Sequence, residues 1–295
     1  VNEEAIASRP DSVGVALVVI SATGFGTLGI LAKLAYAEGL DLPSTLAWRF
    51  VGAAVIFWVW LVWRGNWRLE RRLAILATLL GAIGYAIQAS LFFAALTYAG
   101  AGVTALLLYT YPAFVTLLAW ITEGERPRRN RQIALSLALF GCLLTADLSG
   151  VTVKPIGLLL GVASGGWYAL YLTFGARLVR SISPATTSAY LSLGAALSFL
   201  ATAFSGDGLI FPKTPVAVGT VGGLILIATV LPIVTLFAGI RRLGTAQTAI
   251  LSTIEPVVTV LLGIIFLGEE LVARQILGGL LVVSSVVLLQ AFPQE

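Results

Sequence analysis

The stretch from Phe93 to Glu125 returns as Phe237 to Glu269 without a gap, at a constant offset of 144 and with 12 identities in 33 positions. The identities include Gly100 with Gly244, Thr104 with Thr248, Pro112 with Pro256, and the closing pairs Gly124-Glu125 with Gly268-Glu269. Arg131-Gln132-Ile133 recurs as Arg274-Gln275-Ile276 after one deletion. Weaker matches join Ser21–Leu28 to Ala163–Leu170, and Ala32-Lys33-Leu34 to Ala176-Arg177-Leu178. A repeat unit of half the chain demands two related units, here 1–150 and 151–295.

What those units can be is fixed by hydropathy. With 58% hydrophobic and 11% charged residues and a mean hydropathy of +0.98, the chain is far more apolar than a soluble domain. It reads as an all-α integral membrane protein in contact with the lipid bilayer. Ten stretches approach the 20 or so apolar residues needed to cross a bilayer: 13–35, 43–63, 73–96, 101–122, 132–149, 155–176, 184–204, 215–240, 245–267 and 273–291. Short connections with Pro, Gly or Asp punctuation leave no room for a soluble domain.

Short loops rich in Arg and Lys stay cytoplasmic. Thirteen basic residues fall on one side of the ten-span arrangement and four (Lys33, Lys154, Lys213, Arg274) on the other, with Arg49 inside a span. Both termini are therefore expected in the cytoplasm. Five spans per repeat is odd, so the second copy enters upside down, and a two-fold inverted repeat of this kind supports alternating access around a site near the midplane.

Several classes drop out. The net charge of +4 resides in loop clusters that orient the chain, so no nucleic-acid partner is expected. With one Cys and no His, there is no basis for a disulfide, a Cys or His metal site, a Ser-His triad or a His proton relay; no cofactor is required and no enzyme is expected. The acidic start (Glu3, Glu4, Asp11) does not resemble a cleavable signal peptide. Gly24, Gly26 and Gly29 satisfy G-x-G-x-x-G by letter only, because they lie inside an apolar helix rather than between strand and helix; close packing or a flexible first span is the expectation. A phosphate loop is absent, so transport would be driven by a solute or ion gradient.

Pro112 and Pro256 fall near the middle of the fourth and ninth spans, where each removes a hydrogen bond and kinks the helix. Freed carbonyls in hydrocarbon need protein or water. The matched pair, flanked by Tyr109, Tyr111, Thr253 and Glu255, therefore points to a cavity lining. Glu255 is the acid placed deep in a span, and it must face the interior. Thr248, Ser252, Glu255 and Thr259 share one helical face, read as directed inward; the alternative role for Glu255 is an ion pair with Arg49. Gly81, Tyr85, Gln88 and Phe92 line up on the third span. Ser164, Trp167, Tyr168 and Tyr171 do so on the sixth, beside a ladder of Gly157, Gly161 and Gly165 that admits a neighbouring helix. The candidate substrate-binding residues are Tyr85, Gln88, Tyr109, Tyr111, Trp167, Tyr168, Tyr171, Ser252 and Glu255.

Ten spans in two copies, each with a central proline and closing on Gly-Glu (Pro112 to Gly124-Glu125, Pro256 to Gly268-Glu269), resemble the drug/metabolite transporter superfamily in its EamA-type ten-helix branch. The aromatic lining is most similar to YddG-type exporters of aromatic amino acids. This resemblance implies a multi-pass protein of the bacterial inner membrane that exports amino acids, aromatic ones favoured, or related small metabolites through a central cavity. The small four-helix members couple to protons through a Glu in their first helix. This chain has no acid between Asp11 and Glu38, which leaves Glu255 as the comparable group and protons as an open partner. Drug or other metabolite export and a passive channel are the alternatives. Oligomeric state is not legible.

Overall fold

A computed structural model describes residues 11–65, 67–124, 127–146, 154–267 and 272–291. Arg9, Glu125, Arg126, the Gly268-Glu269 pair and the junction at 150/151 lie outside the described residues. The described residues are helical, with no strand. In chain order the helices are α1 (Ser12–Gly26), α2 (Leu28–Ala37), α3 (Leu42–Trp63), α4 (Arg71–Leu79), α5 (Ala86–Leu108), α6 (Tyr111–Glu123), α7 (Arg129–Thr145), α8 (Pro155–Ser181), α9 (Pro184–Ser205), α10 (Pro215–Ile225), α11 (Leu231–Leu243), α12 (Thr245–Leu251), α13 (Ile254–Leu267) and α14 (Ala273–Ala291). Two π-helical turns, Leu80–Tyr85 and Leu226–Val230, join α4 to α5 and α10 to α11.

Local chemistry starts and stops these helices. Asp11, Asp41, Ser183 and Thr214 accept from backbone N–H groups of the first turns of α1, α3, α9 and α10, satisfying donors that would otherwise be orphaned. Proline opens α8, α9 and α10, where its missing N–H costs nothing. Gly244 (φ 78°) makes the turn between α11 and α12 in a backbone region that favours glycine.

Among the described residues, eight helical stretches are long and apolar enough to cross a membrane: Ser12–Ala37, Leu42–Trp63, Arg71–Ala99, Gly102–Thr122, Pro155–Ser181, Pro184–Ser205, Pro215–Leu243 and Thr245–Phe266. Among the remaining helices, α7 has 17 residues and α14 has 19. They lie against each other through Gly141 and Gly278, where a Cβ on either would stand 2.7 Å from the other's carbonyl oxygen. Apolar side chains cover the outside, among them Val59, Trp63, Phe140, Leu159, Ile265 and Leu280, as lipid contact requires. Small residues fill the inside, and side-chain hydroxyls there commonly bond the carbonyl four residues back.

Along α8 the register of its neighbours reverses. Gly84 touches Trp167, Gln88 touches Ser164, and Tyr98 and Ala99 touch Gly157. Leu107 then meets Gly161, and the carbonyls of Leu107 and Leu108 meet Gly165. Residues 84–99 thus run antiparallel to α8 while Leu107 and Leu108 lie back along it, with the glycine ladder as the surface that both approach. Helices α1 and α11 also run antiparallel: Gly14 faces Leu243, and Gly239 faces Val18.

Candidate functional site

The two π-turns lie at similar distances along the two halves of the sequence, and both carry carbonyls that accept from side chains of other helices. In the second, Pro232 has no N–H with which to reach the carbonyl of Ala228. Arg49 Nη2 reaches it instead, at 2.9 Å. Arg49 Nε donates to Thr229 Oγ1 at 2.5 Å, and Nη1 donates to the Tyr85 hydroxyl at 3.1 Å. One guanidinium on α3 therefore holds both π-turns. In the first turn the carbonyl of Gly84 accepts from Trp167 Nε1 at 2.8 Å, and that of Ala82 accepts from Ser198 Oγ at 2.7 Å.

Arg49 is 1% exposed and sits about two turns into α3. Burying a guanidinium within a membrane span costs up to about 3 kcal/mol on insertion scales. The ion pair with Glu255 anticipated as an alternative is not formed: among the described residues no carboxylate lies within 4.0 Å of Arg49. Its compensation comes from neutral oxygens and from the faces of Phe50 and Tyr85, 5.1 and 5.9 Å from the guanidinium carbon.

From Tyr85 an aromatic chain crosses the interior. Its ring centroid is 6.0 Å from that of Tyr171, Tyr171 stacks on Tyr168 at 5.7 Å, and Tyr168 meets Tyr111 edge-on at 4.7 Å. Phe50 and Phe199 back the chain on Tyr85, and Phe237 on Tyr171. The Tyr111 hydroxyl donates to the carbonyl of Ala249 at 3.2 Å, tying α6 to α12. Four of the candidate tyrosines thus form one wall contributed by the first π-turn, α6 and α8.

The remaining candidates sit differently. Gln88 is buried, its amide 3.5 Å from Ser164 Oγ, and with Trp167 it clamps the third span to α8. Tyr109 and Ser252 fall in two-residue breaks, Tyr109–Thr110 between α5 and α6 and Ser252–Thr253 between α12 and α13. Pro112 and Pro256 lie in the first turns that follow. Glu255 is half-buried in the first turn of α13, beside the Tyr109 hydroxyl, where the positive end of the helix favours a carboxylate. The inward stripe does not extend to Thr259. The break at Ser252–Thr253 turns α13 relative to α12, so Thr259 is exposed and its hydroxyl meets the carbonyls of Glu255 and Gly26.

Sequence reasoning passed over Thr229, Phe50, Phe199 and Phe237. Thr229 carried a signal, a hydroxyl in an apolar run three residues before a proline; the phenylalanines carried none. The site offers aromatic faces, a buried cation and a carboxylate. Among the described residues no cluster of His, Cys, Asp and Glu could hold a metal.

Comparison with known proteins agrees with this architecture. Residues 12–146 and again 155–290 match the EamA-like transporter family. The chain is 27% identical over 289 residues to the uncharacterized transporter YcbK of Bacillus subtilis, covering 94% of this chain and 92% of that one. It is 29% identical over 285 residues to the uncharacterized transporter YwfM of the same organism, covering 94% of each. An uncharacterized transporter of Archaeoglobus fulgidus is 27% identical over 276 residues, covering 93% of this chain and 95% of its own. A solved crystal structure superposes with a TM-score of 0.80 at 19% identity, over 95% of this chain and 96% of the other, which establishes a shared fold. With both halves matched, the chain belongs to the EamA-like transporter family and is a membrane transporter of the drug/metabolite superfamily.

Proposed function

We propose that this transporter exports amino acids, with aromatic side chains favoured, or related small metabolites, by alternating access around the tyrosine-lined centre. The observation that carries this reading is the chain of Tyr85, Tyr171, Tyr168 and Tyr111 rings, flanked by buried Arg49 and by Glu255. An aromatic ring stacks on such a wall, while a cation and a carboxylate suit the two charges of an amino acid. Tyr85, Gln88, Tyr109, Tyr111, Trp167, Tyr168, Tyr171, Ser252 and Glu255 are proposed to line or support the substrate path.

The wider arrangement belongs to the same proposal. Helices α7 and α14 serve as the fifth and tenth spans, so that 1–150 and 151–295 are inverted copies with both termini in the cytoplasm, in the inner membrane of a bacterium. The two separate family matches, the paired π-turns and the paired proline breaks support it.

The test is flux of a labelled aromatic amino acid in proteoliposomes, with and without an imposed pH gradient. Saturable flux with counterflow is expected. Unsaturable flux without counterflow would mean a channel, and no flux from folded protein would remove the aromatic amino acid assignment. If flux responds to the gradient, Glu255→Gln should abolish that response; a variant that keeps both flux and response would discard Glu255 as the coupling group.

A further inference from the structure

The hydrogen-bonding capacity of Arg49 is not exhausted by the protein. A guanidinium has five N–H groups. Among the described residues three are used, by Thr229 Oγ1, the Tyr85 hydroxyl and the carbonyl of Ala228, and all three acceptors are neutral. One N–H on each terminal nitrogen is left, and that pair of nitrogens is the edge whose spacing matches the two oxygens of a carboxylate. The Tyr85 ring lies over the group, and the same ring begins the chain of Tyr171 and Tyr168.

We propose that Arg49 anchors the carboxylate of the transported solute through its two unused N–H groups, leaving the rest of the molecule against Tyr85, Tyr171 and Tyr168. With 1% of its surface exposed, the group is sealed in this conformation, so Tyr85 must move aside for the carboxylate to enter. The partners that hold Arg49 belong to both π-turns, and an anion seated there is in contact with one turn from each half of the chain. The inference rests on the reading of the centre as the substrate site, but it commits to a carboxylate whether or not an amine accompanies it.

The test is equilibrium binding to the purified full chain, with melting temperatures recorded alongside, for matched ligands. These are L-phenylalanine against phenethylamine, which lacks the carboxylate, and against 3-phenylpropionate, which lacks the amine; L-leucine against isoamylamine; and succinate. A charge-assisted bidentate pair corresponds to about a ten- to hundredfold preference for the carboxylate-bearing ligand. That preference is expected in the wild type, is lost in Arg49→Gln and is partly kept in Arg49→Lys, which retains the charge without the fork. Tyr85→Phe keeps the ring, frees a third N–H and should bind carboxylates at least as tightly as the wild type; it carries the test if Arg49→Gln does not fold.

The proposal is overturned if no carboxylate binds, if the wild type does not distinguish the matched ligands, or if folded Arg49→Gln still does, in which case Arg49 is only a brace for the π-turns. Succinate or phenylpropionate binding through Arg49, with no amino acid bound, would leave the carboxylate anchor standing and remove the amino acid reading. Amino acids binding equally to wild type and Arg49→Gln would do the reverse.

Discussion

At Gly81 a Cβ would stand 1.9 Å from the carbonyl oxygen of Leu191, and at Gly194 it would stand 1.9 Å from that of Thr78. Both obstacles are backbone, which cannot rotate away, so alanine at either position must push α9 off the junction of α4 with the first π-turn. Overpacking of ordinary side chains costs about 1–3 kcal/mol, and Gly81→Ala is expected at or above the top of that range. Gly219 has nothing within 4 Å of its Cβ position, and Gly219→Ala should be neutral or raise stability by up to about 1 kcal/mol through helix propensity. Melting temperatures of the two variants in one detergent make the comparison; equal values would mean that the α9 contact is looser than described. These positions also mark where the sequence falls silent. Gly157, Gly161 and Gly165 were legible because small residues four apart make a groove, whereas Gly81 and Gly194 are single glycines whose partner is another helix's backbone. Arg49 and Glu255 were legible as charges inside apolar runs, yet their partners were not, because the hydroxyls and the carbonyl that meet them belong to segments distant in sequence.

At the level of the elements, α1 is fastened at its start by one carboxylate with two tasks. Asp11 accepts from the N–H of Gly14 at 2.9 Å, capping the helix, and pairs with Arg242 in the last turn of α11 at 2.8 and 3.1 Å. Arg242 and the Gly14 N–H hold the Asp11 carboxyl below its ordinary value near 3.8. A depressed carboxylate contributes stability above its unfolded value and loses it as pH falls through the folded one, so this contribution disappears below about pH 4. Asp11→Ala should cost about 1 kcal/mol at neutral pH, mostly from the lost cap, since an exposed pair adds little. Asp11→Asn keeps an acceptor for the cap but not the charge, and its melting temperature should fall less than the wild type's between pH 5 and pH 3. A parallel decline would assign the acid sensitivity elsewhere. Of the elements themselves, the apolar runs were legible to within a few residues in most cases. Their interruptions were not: α1 gives way to α2 at Thr27, π-turns stand between α4 and α5 and between α10 and α11, and two-residue breaks precede the helices that carry Pro112 and Pro256. Hydropathy reports that a segment crosses hydrocarbon, but the hydrogen-bonding step within it is set by what packs alongside.

For the molecule as a whole, the two breaks are the places where one half can bend in the same way as the other. Pro112 cannot donate to the carbonyl of Leu108, and α5 therefore cannot continue into α6; that carbonyl lies against Gly165 of α8. Pro256 stands in the same relation to Ser252, whose hydroxyl turns back to the carbonyl of Thr248 at 2.9 Å. Alanine at either position supplies the missing N–H and lets a continuous helix form across the break. If the halves exchange conformations during transport, each break is a hinge and the two are equivalent. Pro112→Ala and Pro256→Ala should then slow flux to a similar degree, several-fold, while ligand binding is retained and thermal stability is unchanged or raised. Counterflow in proteoliposomes, read beside equilibrium binding, separates the two effects. A variant pair in which one transports normally and the other not at all would mean that a single half moves, and the sequence repeat would then record common descent rather than a shared mechanical task.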